Sequence, residues 1–107
     1  MSSSDGSAPR QALLALSNAV DGRDEELREW YWGTHIPEVL ELPGFVAAHP
    51  YHVPDDVTMG IPYRYATLYE VEGSADEART LLFTSSLSSS DTLDVTTVAV
   101  IPLVSAP

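Results

Sequence analysis

The sequence predicts an α+β domain with the element order β-α-β-β-α-β. Three observations carry this: an apolar run at residues 11–20, a pattern of apolar positions three and four apart that begins at Asp24, and a strict two-residue alternation over residues 63–71. At 107 residues the chain has room for one hydrophobic core, since two cores would leave each half too small to hold itself together.

The first strand is read from "QALLALSNAV", apolar nearly throughout, and it ends at the turn "DGRD", which also offers Asp21 or Asp24 as a helix N-cap. Leu27, Tyr31, His35, Val39 and Leu42 then recur at helical spacing, while Glu25, Glu26, Arg28, Glu29 and Glu41 lie mostly elsewhere. The acidic start suits the positive end of the helix dipole. Pro37 lacks a backbone donor and disfavours helical geometry at the residue before it, so a kink or break is expected near residues 34–37. "LPG" ends the unit.

The second strand is expected over residues 45–53, with Pro50 assigning it to an edge or a bulge. Simple alternation along it puts Phe45, Ala47, His49 and Tyr51 on one face and His52 on the other. "PDDVTMGIP" reads as a loop. In "YRYATLYEVEG" Tyr63, Tyr65, Thr67, Tyr69 and Val71 share a face of the third strand. Ser74 followed by Glu77 is a capping box that opens a second helix over residues 75–84. The serine-rich "SSLSSSD" reads as flexible, and the β-branched "DVTTVAVIPLV" as the last strand. This order gives a ferredoxin-like layer: a four-stranded antiparallel sheet with two helices on one face. The other face would be bare, and pairing two sheets across it gives a homodimer shaped as an α/β barrel.

Composition narrows the chemistry. The 16 acidic residues against 5 basic ones, all arginine, give a net charge of −11, which repels phosphate backbones and anionic lipid. Nucleic acid and membrane surfaces are therefore not expected partners. The absence of lysine removes Schiff-base chemistry, and the absence of cysteine removes thiolate catalysis, disulfides and cysteine-ligated metals. Residues 1–10 lack the basic start and apolar core of a secretory signal, and no apolar run approaches the roughly 20 residues of a membrane span. A disordered leader ahead of a single domain over residues 11–107, in a cytoplasmic protein, is the expectation.

Chemistry concentrates at residues 30–35. His35 shares a helix face with Leu27, Tyr31 and Val39, so its ring is expected to point at the sheet, where burial lowers its pKa and suits it to act as a general base. The competing structural reading is a buried histidine bonded to a carbonyl freed by Pro37. Tyr31, one turn earlier, either orients the imidazole or packs in the core. Trp30 and Trp32 diverge around the helix, and Trp30 is expected to face the pocket. His49 is the second polar candidate, and Tyr51, Tyr65, Tyr69 and Phe45 are candidates for substrate contact. Metal binding is the rival use of the three histidines. Neither His35 with Glu38 nor "HPYHVPDD" supplies a closed ligand set, so no metal and no other cofactor are expected.

The stretch "EWYWGTHIPEVLELPGFVAAHPY", followed by "YATLYEVEG", resembles the dimeric α/β-barrel superfamily and, more narrowly, the EthD-like proteins and related small actinobacterial sequences. The resemblance spans residues 13–104 and rests on Trp30, Tyr31, His35, Pro37, Pro43, Gly44, Phe45 and Tyr69. It implies a pocket between sheet and helices with the histidine of H-x-P in or beside it. It also implies a cofactor-independent enzyme for a small hydrophobic, aromatic or polyketide-like metabolite: a cyclase, isomerase, dehydratase or decarboxylase. The unusual "HPYH" departs from many relatives. A cofactor-free monooxygenase and a non-catalytic small-molecule-binding barrel are the alternatives.

Overall fold

The computed structural model describes residues 11–54 and 62–105. The expected leader, most of the loop after Val53 and the last two residues lie outside this range. Four strands form one antiparallel sheet: β1 (Gln11–Ser17), β2 (Phe45–His52), β3 (Tyr65–Val71) and β4 (Ala99–Val104), in the order β2-β3-β1-β4. The helical layer comprises α1 (Asp24–Trp30), a π-helical turn at Tyr31–His35, α2 (Ile36–Leu40) and α3 (Ala75–Thr84). Both helical units pack on one sheet face, so the β-α-β-β-α-β, ferredoxin-like arrangement is the observed architecture.

The core lies between these layers. Leu13 and Ala15 of β1, Tyr69 and Val71 of β3, and Phe45 of β2 meet Leu27, Tyr31, Ile36 and Val39 from the first helical unit and Ala75 and Ala78 from α3. Each strand contributes every second residue, as the pleat requires. The stripe at Tyr65, Thr67, Tyr69 and Val71 therefore faces the helices. Ala12, Leu14 and Leu16, paired with Glu70, Leu68 and Ala66 on one side and Leu103, Ile101 and Ala99 on the other, form the opposite face. Among the described residues no helix covers that face, and Ile101 and Leu103 are 40% and 38% exposed.

The first helix does not break at Pro37, but it leaves the regular α form over Tyr31–His35 just before it. Its backbone stays in the right-handed helical region through the junctions, and the Ile36 N–H reaches back five residues to the Tyr31 carbonyl. Proline in a helix interior clashes with the carbonyl four residues back, here that of Gly33. Widening one turn to the π form moves that carbonyl aside, and the helix continues. The N-cap also differs from expectation. Arg23 occupies it without a side-chain bond, and Asp24 instead accepts a hydrogen bond from Tyr65.

In the second helical unit Ser74 Oγ accepts from the Glu77 N–H at 3.1 Å, as the capping motif predicts. Gly44 closes the turn into β2 at φ 88°, where a side chain is strained, and a Cβ there would sit 3.4 Å from the Glu72 carbonyl.

Two strands are shorter than their apolar runs. β1 stops at Ser17 because the side chain of Asn18 does backbone work. It donates to the Pro62 carbonyl at 2.7 Å and accepts from the Arg64 N–H at 2.8 Å, which fixes the chain between β2 and β3. β4 begins only at Ala99, because the Asp94 carboxylate captures the N–H and hydroxyl of Thr96 in a turn.

β2 lies at a sheet edge, as Pro50 predicts, and it also carries a bulge between Phe45 and Ala47. Val46 is the extra residue, half exposed. One extra residue reverses the alternation beyond it, so Phe45 faces the core while Ala47 and His49 align with Glu70 and Leu68 on the open face. Phe45 and His49 do not share a face, contrary to simple counting.

Candidate functional site

Between α3, the π turn and the sheet lies an apolar chamber of about 200 Å³. Its floor is Ala15, Ser17, Tyr69 and Val100 from the sheet, with Tyr31 and His35 on one wall. Leu82 and Phe83 of α3 and Leu87, Leu93 and Val98 of the following connection complete it.

The π turn sets the aromatic group of this wall. A regular helix holds residues i and i+4 on one face, whereas i and i+5 diverge. With an i→i+5 backbone bond at the junction, Trp30 and His35 come into register, their rings stacked at 4.9 Å between centroids with 27° between planes. Tyr31 also stays against His35 at 4.8 Å. Trp30 thus backs the imidazole and does not itself line the chamber. Trp32, 43% exposed, points away from it.

Burial holds the His35 imidazole below the usual histidine range, and Glu38 opposes this only in part. The ring is neutral near pH 7. Its Nδ1 has no hydrogen-bond partner and is the one sealed side-chain polar atom without a partner among the described residues. The bond to a carbonyl freed by Pro37 does not form. Glu38 is engaged with the Ser88 hydroxyl at 2.6 Å. Tyr31 and Tyr69 bring their hydroxyls within 3.5 Å of one another, a weak contact, and burial pushes the Tyr69 phenol well above its ordinary value. Phe45 meets Tyr69 edge-on at 5.7 Å and braces it from outside the chamber.

The remaining candidates stand elsewhere. His49 is bonded to Glu70 at 2.7 Å on the open sheet face, with both side chains more than a third exposed, so the structure does not bring it together with His35. Tyr65 donates to Asp24 at 2.6 Å and accepts from Arg28 at 3.1 Å. Burial first, then the Asp24 carboxylate, raise its phenol above the ordinary value. With Trp32, His52 and Arg64 this group borders an open polar cleft of about 500 Å³. Tyr51, more than half exposed, sits beside a narrow crevice shared with Tyr31 and Tyr65. The cleft is the larger space, but Asp24, Arg28, His52 and Arg64 give it a charged and polar lining. The chamber is the better ligand site because apolar walls with a few convergent polar groups are what small-molecule pockets require.

Sequence reasoning missed much of the chamber wall. Leu87 belongs to a segment read as flexible and Leu93 follows just after it, yet the segment's serines are bonded: Ser85 Oγ to the Leu81 carbonyl, Ser88 to Glu38, and Ser90 to Thr92. The signal available was a leucine among the serines and a second one just beyond them, and these two residues line the chamber. Ser17 was visible only as the polar end of an apolar run.

Among the described residues no three of His, Asp and Glu converge on one point, and no helix is long and apolar enough to cross a membrane. No family model, curated protein or solved structure matches the chain.

Proposed function

We propose that the chamber binds a small apolar molecule and that the protein is a cofactor-independent enzyme of the proton-transfer type, acting by ring closure, isomerisation, dehydration or decarboxylation. The observation that carries this is a neutral imidazole set in the wall of an otherwise apolar cavity. Such a group is costly to bury without partners, and it stands where a bound molecule would meet it. Reactions of this class need one group that handles a proton and one that holds an oxygen on which charge develops. Those roles fall within the chamber to His35, Tyr31 and Tyr69, with Ser17 at its floor; His49 is not among them.

The fold and the W-Y, H-x-P and P-G-F residues support placing the chain with the dimeric α/β barrels. In that reading the open face around Leu14, Leu68 and Ile101 is the dimer seam, since apolar side chains of a single sheet face call for a cover. A non-catalytic carrier is the second reading, favoured by the predominance of aliphatic side chains in the wall. The two readings separate by mutation. For an enzyme, His35→Leu lowers turnover of a bound molecule by more than it lowers affinity for it. Unchanged turnover in that variant would sink the catalytic reading.

A further inference from the structure

The two nitrogens of His35 stand in different surroundings, and the difference decides what the ring offers a ligand. Nδ1 is sealed among protein atoms and has no partner. Nε2 is not sealed in this way, and His35 forms part of the chamber wall. A neutral imidazole carries one hydrogen, on one nitrogen or the other, and the tautomer is set by what each nitrogen meets. Placing it on Nδ1 would bury an N–H with nothing to accept it, which native proteins almost never do; an unused lone pair is the more tolerated of the two. Protonating both nitrogens would bury the same orphan N–H and a charge as well.

We infer that His35 is held as the Nε2–H tautomer, donating a hydrogen bond into the chamber, and that the ligand it receives is a neutral, single-ring molecule bearing a carbonyl oxygen. This rests on reading the chamber as a ligand site. The carbonyl follows from the donor. Neutrality follows from the walls: none of Arg23, Arg28, Arg64 and Arg79 lines the chamber, so among the described residues no cation stands in the wall to meet a carboxylate, whose burial would be costly. Ring size follows from volume. A dry apolar cavity of about 150 Å³ holds benzene, so about 200 Å³ matches one substituted ring more closely than two fused ones. His35 is then the group that polarises the carbonyl, a role neutral histidine fills through its N–H, and proton acceptance does not fall to it.

Nitrogen-15 NMR of the histidine side chains in the full-length protein tests the tautomer without any ligand. A pyrrole-type Nε2 and pyridine-type Nδ1 for His35 is expected, and the reverse pattern overturns the assignment. Titration with acetophenone, benzoate and 1-acetonaphthone then tests the ligand class. Acetophenone should bind and shift the His35 Nε2 signal, the other two should bind at least tenfold more weakly, and His35→Leu should weaken acetophenone about tenfold, the worth of one hydrogen bond. Equal or tighter binding of benzoate or the naphthyl ketone, or no binding of acetophenone at millimolar concentration, refutes the ligand class. An undiminished acetophenone affinity in a folded His35→Leu protein refutes the donor role. A ligand that binds as expected and is never transformed instead removes the enzyme reading and leaves this inference standing.

Discussion

Ala15→Leu asks directly whether the chamber is real space. Ala15 is 7% exposed in the middle of β1, between Thr67 and Val100, and forms part of the chamber floor. Leucine adds three carbons. At about 0.8 kcal/mol for each buried methylene the transfer gain is about 2.4 kcal/mol. Fixing the side chain costs about 0.5–1 kcal/mol, leaving about 1.5 kcal/mol of stabilisation. For a domain near this size the melting temperature should rise by roughly 6–12 °C. Urea denaturation gives the same quantity as a higher midpoint at unchanged slope. The same substitution should abolish binding of a one-ring ligand. In a close-packed core the added carbons would be overpacking, which costs about 1–3 kcal/mol. A lowered midpoint of that size would refute the chamber and everything argued from it.

Because burial lowers the pKa of His35, the folded chain binds a proton there less readily than the unfolded chain. The neutral ring's contribution to stability is complete above the unfolded value near 6.5 and is lost as pH falls toward the folded one, so wild type should lose more stability than His35→Gln between pH 7 and 5 in paired melting curves. Ser74→Ala removes the α3 cap and should cost about 1 kcal/mol without touching ligand affinity; a neutral result would mean the bond to Glu77 is replaced by solvent at no loss. His49→Ala, which breaks an exposed pair on the open face, should change stability by no more than about 1 kcal/mol and leave chamber binding intact; lost binding would place His49 in the site after all. Leu14→Asp puts a charge at the centre of the open face and should convert a dimer to a monomer in analytical ultracentrifugation, whereas a wild-type monomer at micromolar concentration removes the dimer proposal.

Most of the fold was legible because its signals are local. The alternation of Tyr65, Thr67, Tyr69 and Val71, the Ser74–Glu77 cap and the edge-strand Pro50 each act within a few residues, and each appears in the structure as read. His35 facing the sheet beside Tyr31 was legible for the same reason. What escaped was decided by contacts distant in sequence or by a single miscounted residue. The Asn18 side chain ends β1 by bonding residues 62–64, and the Asp94 carboxylate delays β4. Leu87 and Leu93 became chamber walls only because α3 and the sheet bring their connection over the cavity. The π turn allowed Trp30 to stack on His35, and no helical wheel at regular period shows that pairing.

The bulge at Val46 has a consequence for how this architecture can vary. Six side chains follow it in β2 before the strand ends at His52, and each faces as its partner in β3 does. Deleting the one codon for Val46 would leave His49 opposite Leu68 on the open face and Ala48 opposite Tyr69 on the core side, with the ladder made regular. A change of that kind is neither a point substitution nor a loop graft. It would change the length of the strand by one residue in one genetic step and leave the protein's interior intact.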